Sequence, residues 1–261
     1  MMQFYDESPI LLAAGLATVM LGGIEAGRAI GRGGASGVRK APTDAFSVVD
    51  GALFALLGLV IAFSFASSFT RFEQRRDLIR DEANAVTAAY LRLDLLPPDR
   101  QPALRTDFRA YLDARLAVYR PDAAPEAVAA AETRAQALQI GIWRKAASAV
   151  VETQEGQQVG ALILPALNDM IAVVTTRKVA ATDHPPVVIY VMIAALAFAT
   201  ALHAGYSMAG RDRRSWLHTI GFVLTITFTV YVIFDLEQPR RGLIRIDEAD
   251  AILRNVGAGF R

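Results

Sequence analysis

The 261-residue chain contains no cysteine. That excludes a disulfide framework, a thiol nucleophile, an iron–sulfur cluster and a thiolate zinc site. An excess of either charge is also missing. Lys and Arg number 27 against 26 Asp and Glu, a formal net charge of +1, so nothing global points to nucleic acid. The three histidines, His184, His203 and His218, are scattered without H-E-x-x-H spacing and read as structural rather than metal-ligating. No phosphate-binding G-x-x-x-x-G-K-[ST] occurs. The run GRGGASG, residues 31–37, lacks the lysine and a preceding strand, so it reads as a flexible, basic loop. A G-x-S-x-G elbow is absent as well. No feature argues for an enzyme or a cofactor.

What the chain has is hydrophobic length. The composition is 53% hydrophobic and 20% charged, with a mean hydropathy of +0.31, too apolar for an ordinary soluble domain. The apolar residues form four blocks: residues 9–28, broken only by Glu25; 51–70, without any charge; 186–210, with His203; and 216–234, with His218 near its start. A helix rising about 1.5 Å per residue needs roughly 20 residues to cross ~30 Å of hydrocarbon, and each block reaches that length. Residues 1–8 hold Asp6 and Glu7 and no basic residue, and no A-x-A site follows, so the first block is expected to be a permanent helix rather than a cleaved signal.

Two spans carry small residues at four-residue spacing: Gly23, Gly27 and Gly31 in the first, and Ala197, Ala201, Gly205 and Ala209 in the third. Such faces let backbones approach closely, here for packing within the chain, with an oligomer seam as the alternative. Glu25 and Arg28 are placed to pair at i,i+3 and snorkel at the helix end. Ser64, Ser67, Ser68, Thr225, Thr227 and Thr229 are expected to bond their own backbones or neighbouring helices.

Residues 71–183 are polar, alanine-rich and helical in pattern. Phe108, Tyr111, Leu112, Leu116 and Tyr119 make one stripe. Leu138, Ile142, Ala149 and Val150 suggest another helix, and residues from Val159 through Leu162 to Val174 a further one, interrupted or kinked at Pro165. Breaks are expected at Pro97-Pro98, at 120–125, at Glu155-Gly156 and at Pro185-Pro186. Phe65, Phe72, Ile79, Val86 and Leu93 are spaced by seven with no Gly or Pro between them. A sustained seven-residue repeat suits a helix packing along one seam, so the second span is expected to continue as a single rod to about Leu96. The expected fold is all-α: four transmembrane helices plus a helical extramembrane domain. Residues 1–70 carry the first two spans, 71–185 the domain, 186–236 the last two spans and 237–261 a C-terminal tail.

The segment GLVIAFSFASSFTRFEQRRDLIRDEANAVTAAYLRLDLL, residues 58–96, and the tail YVIFDLEQPRRGLIRID, residues 231–247, resemble the two signatures of a bacterial membrane family labelled bestrophin-like, whose activity is unassigned. LNDMIAVVTTRKVAATDHPP, residues 167–186, is a weaker third match. The resemblance implies a multi-pass protein of the bacterial inner membrane. Its label implies an oligomeric anion channel, pentameric in true bestrophins, with four membrane helices per subunit and a hydrophobic neck on the second. Ile61, Phe65 and Phe69 are similar in kind to such a neck, and a ring of them would gate by dewetting. The acidic run of a bestrophin calcium clasp is missing, so calcium gating is not implied. The alternative is a non-conducting sensor or scaffold whose rod transmits bilayer or ligand state to the domain.

The charged motif residues form two groups. Arg71, Arg75 and Arg76 make a basic collar just outside the second span, followed by Glu82, Arg92 and Asp94; Asp235, Arg240 and Arg241 flank the end of the fourth, where Pro239 and Gly242 force a turn. The two groups are expected to meet and pair, with Arg76 and Asp235 as the test pair. The competing readings are attraction of permeant anions and binding of lipid phosphates. Asp247, Glu248 and Asp250 read as a solvated face. Four spans put the domain and both termini on one side. Arg28, Arg32, Arg39, Lys40, Arg211, Arg213 and Arg214 argue for an outside domain, whereas the denser basic residues of the domain side, with the family analogy, favour the cytoplasm.

Overall fold

A computed structural model describes residues 8–33, 44–120, 123–152, 155–209, 216–240 and 242–260. Among them every regular element is helical: α1 (Pro9–Gly33), α2 (Asp44–Leu91), a 3₁₀ turn (Arg92–Leu95), α3 (Gln101–Val118), α4 (Pro125–Val151), α5 (Gly156–Thr182), α6 (Val187–Met208), α7 (Trp216–Glu237) and α8 (Asp247–Gly259). The chain divides into two units, residues 1–72 with 184–244 and residues 73–183 with 245–261.

The first unit is the membrane part. α1, α6, α7 and the apolar stretch of α2 are each long and apolar enough to cross a bilayer. The two small-residue faces pack on each other. A Cβ at Gly27 would lie 2.0 Å from the Leu202 carbonyl oxygen, and one at Gly205 would lie 2.1 Å from that of Ile24. Gly23 and Gly31 face Ala201 and Ala209 in the same seam. With lipid outside, close backbone approach holds α1 to α6 where no hydrophobic drive exists. Met20, Ile24, Leu57, Ile193, Ala197, Ala201 and Ile233 form the core beside the seam. The expected basic loop begins later than its sequence suggests, since Gly31 to Gly33 are still helical; its remainder, with Arg39, Lys40, Arg211, Arg213 and Arg214, lies outside the described residues.

Two polar expectations are corrected here. Arg28 does pair with Glu25 at 3.0 Å but does not snorkel; it is buried and donates to Thr219 Oγ1 at 3.2 Å on α7. Ser64, Thr225 and Thr229 bond carbonyls one turn back, whereas the buried Thr227 hydroxyl makes no hydrogen bond.

The second unit is a helical domain with its own core, in which Val86, Leu93, Phe108, Tyr111, Leu112, Ile142, Ile163, Leu167, Met170 and Leu253 come together. Helix α2 is uninterrupted through its 48 residues, about 72 Å at 1.5 Å per residue. Of the seven-spaced stripe, Ile79, Val86 and Leu93 are wholly buried and Phe72 nearly so, while Phe65 is exposed. α5 runs through Pro165 without a break. Pro165 and Ala161, whose carbonyl loses its usual donor, both lie at the exposed side, where water can take that bond. Leu162, expected on the buried stripe, is exposed.

Candidate functional site

Where α2 ends its apolar run, its arginines find partners within the chain. Arg71 reaches Glu237 at the end of α7 with Nε at 3.0 Å and Nη2 at 2.8 Å from Oε1, and also donates to Ser67 and Ser68. The Glu237 side chain is fully buried, and His184 Nδ1 lies 3.3 Å from its other oxygen. Arg75 is buried and donates to the Ala180 and Asp183 carbonyls, closing the C-terminus of α5. Arg76 pairs with Glu73 one turn back at 2.7 Å. The two motif groups thus meet through Arg71 and Glu237, not through Arg76 and Asp235.

Asp235 has another task. It is 1% exposed and takes the Tyr231 hydroxyl on Oδ1, with the backbone N–H of Leu243 at 2.9 Å and of Ile244 at 2.8 Å. A Cβ at position 242 would lie 2.5 Å from Asp235 Oδ1, so only glycine fits there. Arg240 sits in the turn; Arg241 lies outside the described residues.

Glu82 is the centre of a buried network in the helical unit. Arg115 contacts its carboxylate at 2.6 and 3.0 Å and Arg177 at 2.5 Å; Arg177 continues to Asp250 on α8 at 3.0 Å. The Arg177 guanidinium lies 3.8 Å over the Tyr119 ring. Two carboxylates and two guanidiniums balance, which makes burial tolerable. Burial alone would raise the Glu82 pKa, but hydrogen bonds and charge from Arg115 and Arg177 hold it below the ordinary 4.5. Burial pushes the Tyr111 and Tyr119 phenols up. Asp250 is therefore not part of a solvated face; the side chains of Asp247 and Glu248 lie outside the described residues. Arg92 donates to the Ala88 carbonyl and lines a recess of about 220 Å³ with Pro165 and Asp169, while Asp94 pairs with Arg105.

The candidate neck divides. Ile61 is 7% exposed within the membrane core, whereas Phe65 and Phe69 are 40% and 46% exposed, with near-parallel rings 6.3 Å apart. Leu57, Ile61 and Ser68 face the unit's interior; the phenylalanines flank that face. Only 11% of the apolar window of α2 is buried within the chain, against 33% for α1 and 28% for α7.

Sequence reasoning missed the partners of Glu82. Ile163, Met170 and Arg177 are spaced by seven, and Arg115 shares the stripe of Phe108 and Leu112. A charge in register with a buried stripe was the available signal. The pair of His203 with Asp50, at 2.8 Å between α6 and α2, was also missed; Asp50 stands immediately before the uncharged run. Among the described residues no three His, Asp or Glu side chains gather to hold a metal ion.

Four apolar helices joined to a helical domain by one long helix define an all-α, multi-pass membrane protein with an architecture consistent with a bacterial inner membrane. Residues 28–251 match the family model for the Bestrophin-like domain, and the chain belongs to that family. The structure of a bacterial Bestrophin homolog from Klebsiella pneumoniae superposes with a TM-score of 0.68 at 12% identity, covering 97% of each chain. A point variant of that homolog gives 0.66 at 13% identity, over 96% of this chain and 97% of its own. At such identity the likeness is one of fold. No curated protein matches the sequence significantly.

Proposed function

We propose that the chain is one subunit of an oligomeric ion channel, with inorganic anions as the permeant class and Phe65 and Phe69 of α2 forming its hydrophobic neck. The observation that carries the reading is the uncovered state of α2. It is the least buried of the spans, and it presents two adjacent phenylalanine rings away from the core of its own unit. Around a symmetry axis those rings form an apolar constriction that gates by dewetting. Anion selectivity does not come from Arg71, because Glu237 neutralises it, nor from Arg76, which Glu73 offsets.

The test is current across planar bilayers from purified protein under a salt gradient. Wild type is expected to conduct with a reversal potential set by chloride, and Phe65→Ala to raise the conductance or remove gating. Silence of both proteins across ions, pH and voltage would sink the channel reading. It would favour a non-conducting sensor, which the unbroken α2 also suits.

A further inference from the structure

The chain leaving the fourth span folds back onto it. Phe228, Tyr231 and Asp235 fall at i, i+3 and i+7 on α7, one stripe that begins with the exposed Leu224 and Phe228. In the membrane those two residues face lipid or a neighbouring subunit. A carboxylate at the end of such a stripe is costly unless its lone pairs are taken. The turn after Glu237 takes them: Gly242 N–H returns to the Gln238 carbonyl, and the amides of Leu243 and Ile244 close on Asp235. The backbone of 243–244 is therefore fixed beside the last turn of the fourth span, and residues up to Ile244 belong to the membrane unit. The same geometry leaves Leu243 81% exposed and Ile244 36% exposed. Sequence adds Arg240, Arg241 and Arg245 on either side.

We propose that residues 240–245 are an interfacial lipid anchor, in which Leu243 and Ile244 enter the outermost acyl region and the flanking arginines meet anionic headgroup phosphates. The occupant is a phospholipid surface because the segment is held at the level where the span ends and its exposed apolar face continues that of α7. An apolar pair between basic residues matches the layering of the boundary, hydrocarbon below and phosphate above. Asp235 is the positioning residue: its carboxylate sets the direction in which Leu243 points.

The cysteine-free chain makes the test direct. Full-length Leu243→Cys carries an environment-sensitive fluorophore in vesicles of phosphatidylcholine alone or with phosphatidylglycerol, and Ala130→Cys in the helical domain serves as the control. Nitroxide-labelled lipid is expected to quench the probe at 243 several-fold more than at 130, while aqueous iodide does the reverse. Phosphatidylglycerol is expected to raise the wild-type melting temperature, and Arg240→Gln with Arg241→Gln to abolish that rise. Iodide quenching at 243 equal to that at 130 overturns the anchor. So does protection from both quenchers, which means a protein surface covers the segment. An undiminished phosphatidylglycerol effect in the double variant overturns the headgroup contact.

Discussion

A carboxylate with no exposed surface is a commitment: its partner must be present or the fold loses stability. Glu237 is in that position, and Arg71 is its principal cation. Arg71→Ala is expected to cost on the order of 3 kcal/mol, because it leaves a buried charge uncompensated. Arg76→Ala breaks a half-exposed i,i+3 pair and should cost about 0–1 kcal/mol. Thermal melts of both variants in one detergent check the ranking, and equal losses would refute it. Glu82 adds a pH dependence. Its folded pKa is depressed below the ordinary 4.5, so its stabilisation is complete above that value and is lost as pH falls through the folded pKa. The melting-temperature gap between wild type and Glu82→Gln should therefore be widest near neutrality and shrink below about pH 4.5. A gap that stays constant into acid would show that Glu82 is not ionised in the fold. Residue roles of this kind were only half visible in the sequence. The motif charges were recognisable, but their partners come from elements up to 166 residues away, as Arg71 and Glu237 show. Local spacing drew attention to Arg76 and Asp235 instead.

At the scale of the element the reading was better, because helix periodicity is a local property. The four spans, the unbroken α2 and the small-residue faces follow from run length, the absence of Gly and Pro, and four-residue spacing. Pro165 is the instructive exception: proline inside a helix signals a break, yet α5 tolerates it where its orphaned carbonyl has access to water. The α1–α6 seam gives an internal control. Gly27→Leu is expected to drive the two backbones apart and cost well over 1 kcal/mol, whereas Gly15→Ala and Gly22→Ala, with nothing within 4 Å of the added carbon, should be close to neutral. Folded yield and melting temperature of the three variants decide. A well-tolerated Gly27→Leu would mean that the helices do not meet there.

At the scale of the whole molecule, sidedness was the least readable property. Basic residues occur on both sides of the spans, and a charge rule cannot weigh a large domain against short loops. Labelling with a membrane-impermeant thiol reagent at Ala130→Cys is expected to fail in intact cells and succeed after lysis, placing the helical domain in the cytoplasm. Labelling in intact cells would reverse the orientation. The domain is also discontinuous, with α8 supplying Asp250, Leu253 and Phe260 from beyond the fourth span. Phe260 stacks on Tyr90 at 3.8 Å, and Asp250 balances Arg177. During synthesis, Arg115 and Arg177 would share only Glu82 until the ribosome has released α8. The half-built domain would then carry surplus positive charge while the final two helices enter the bilayer, and its closure would be among the last steps of biogenesis.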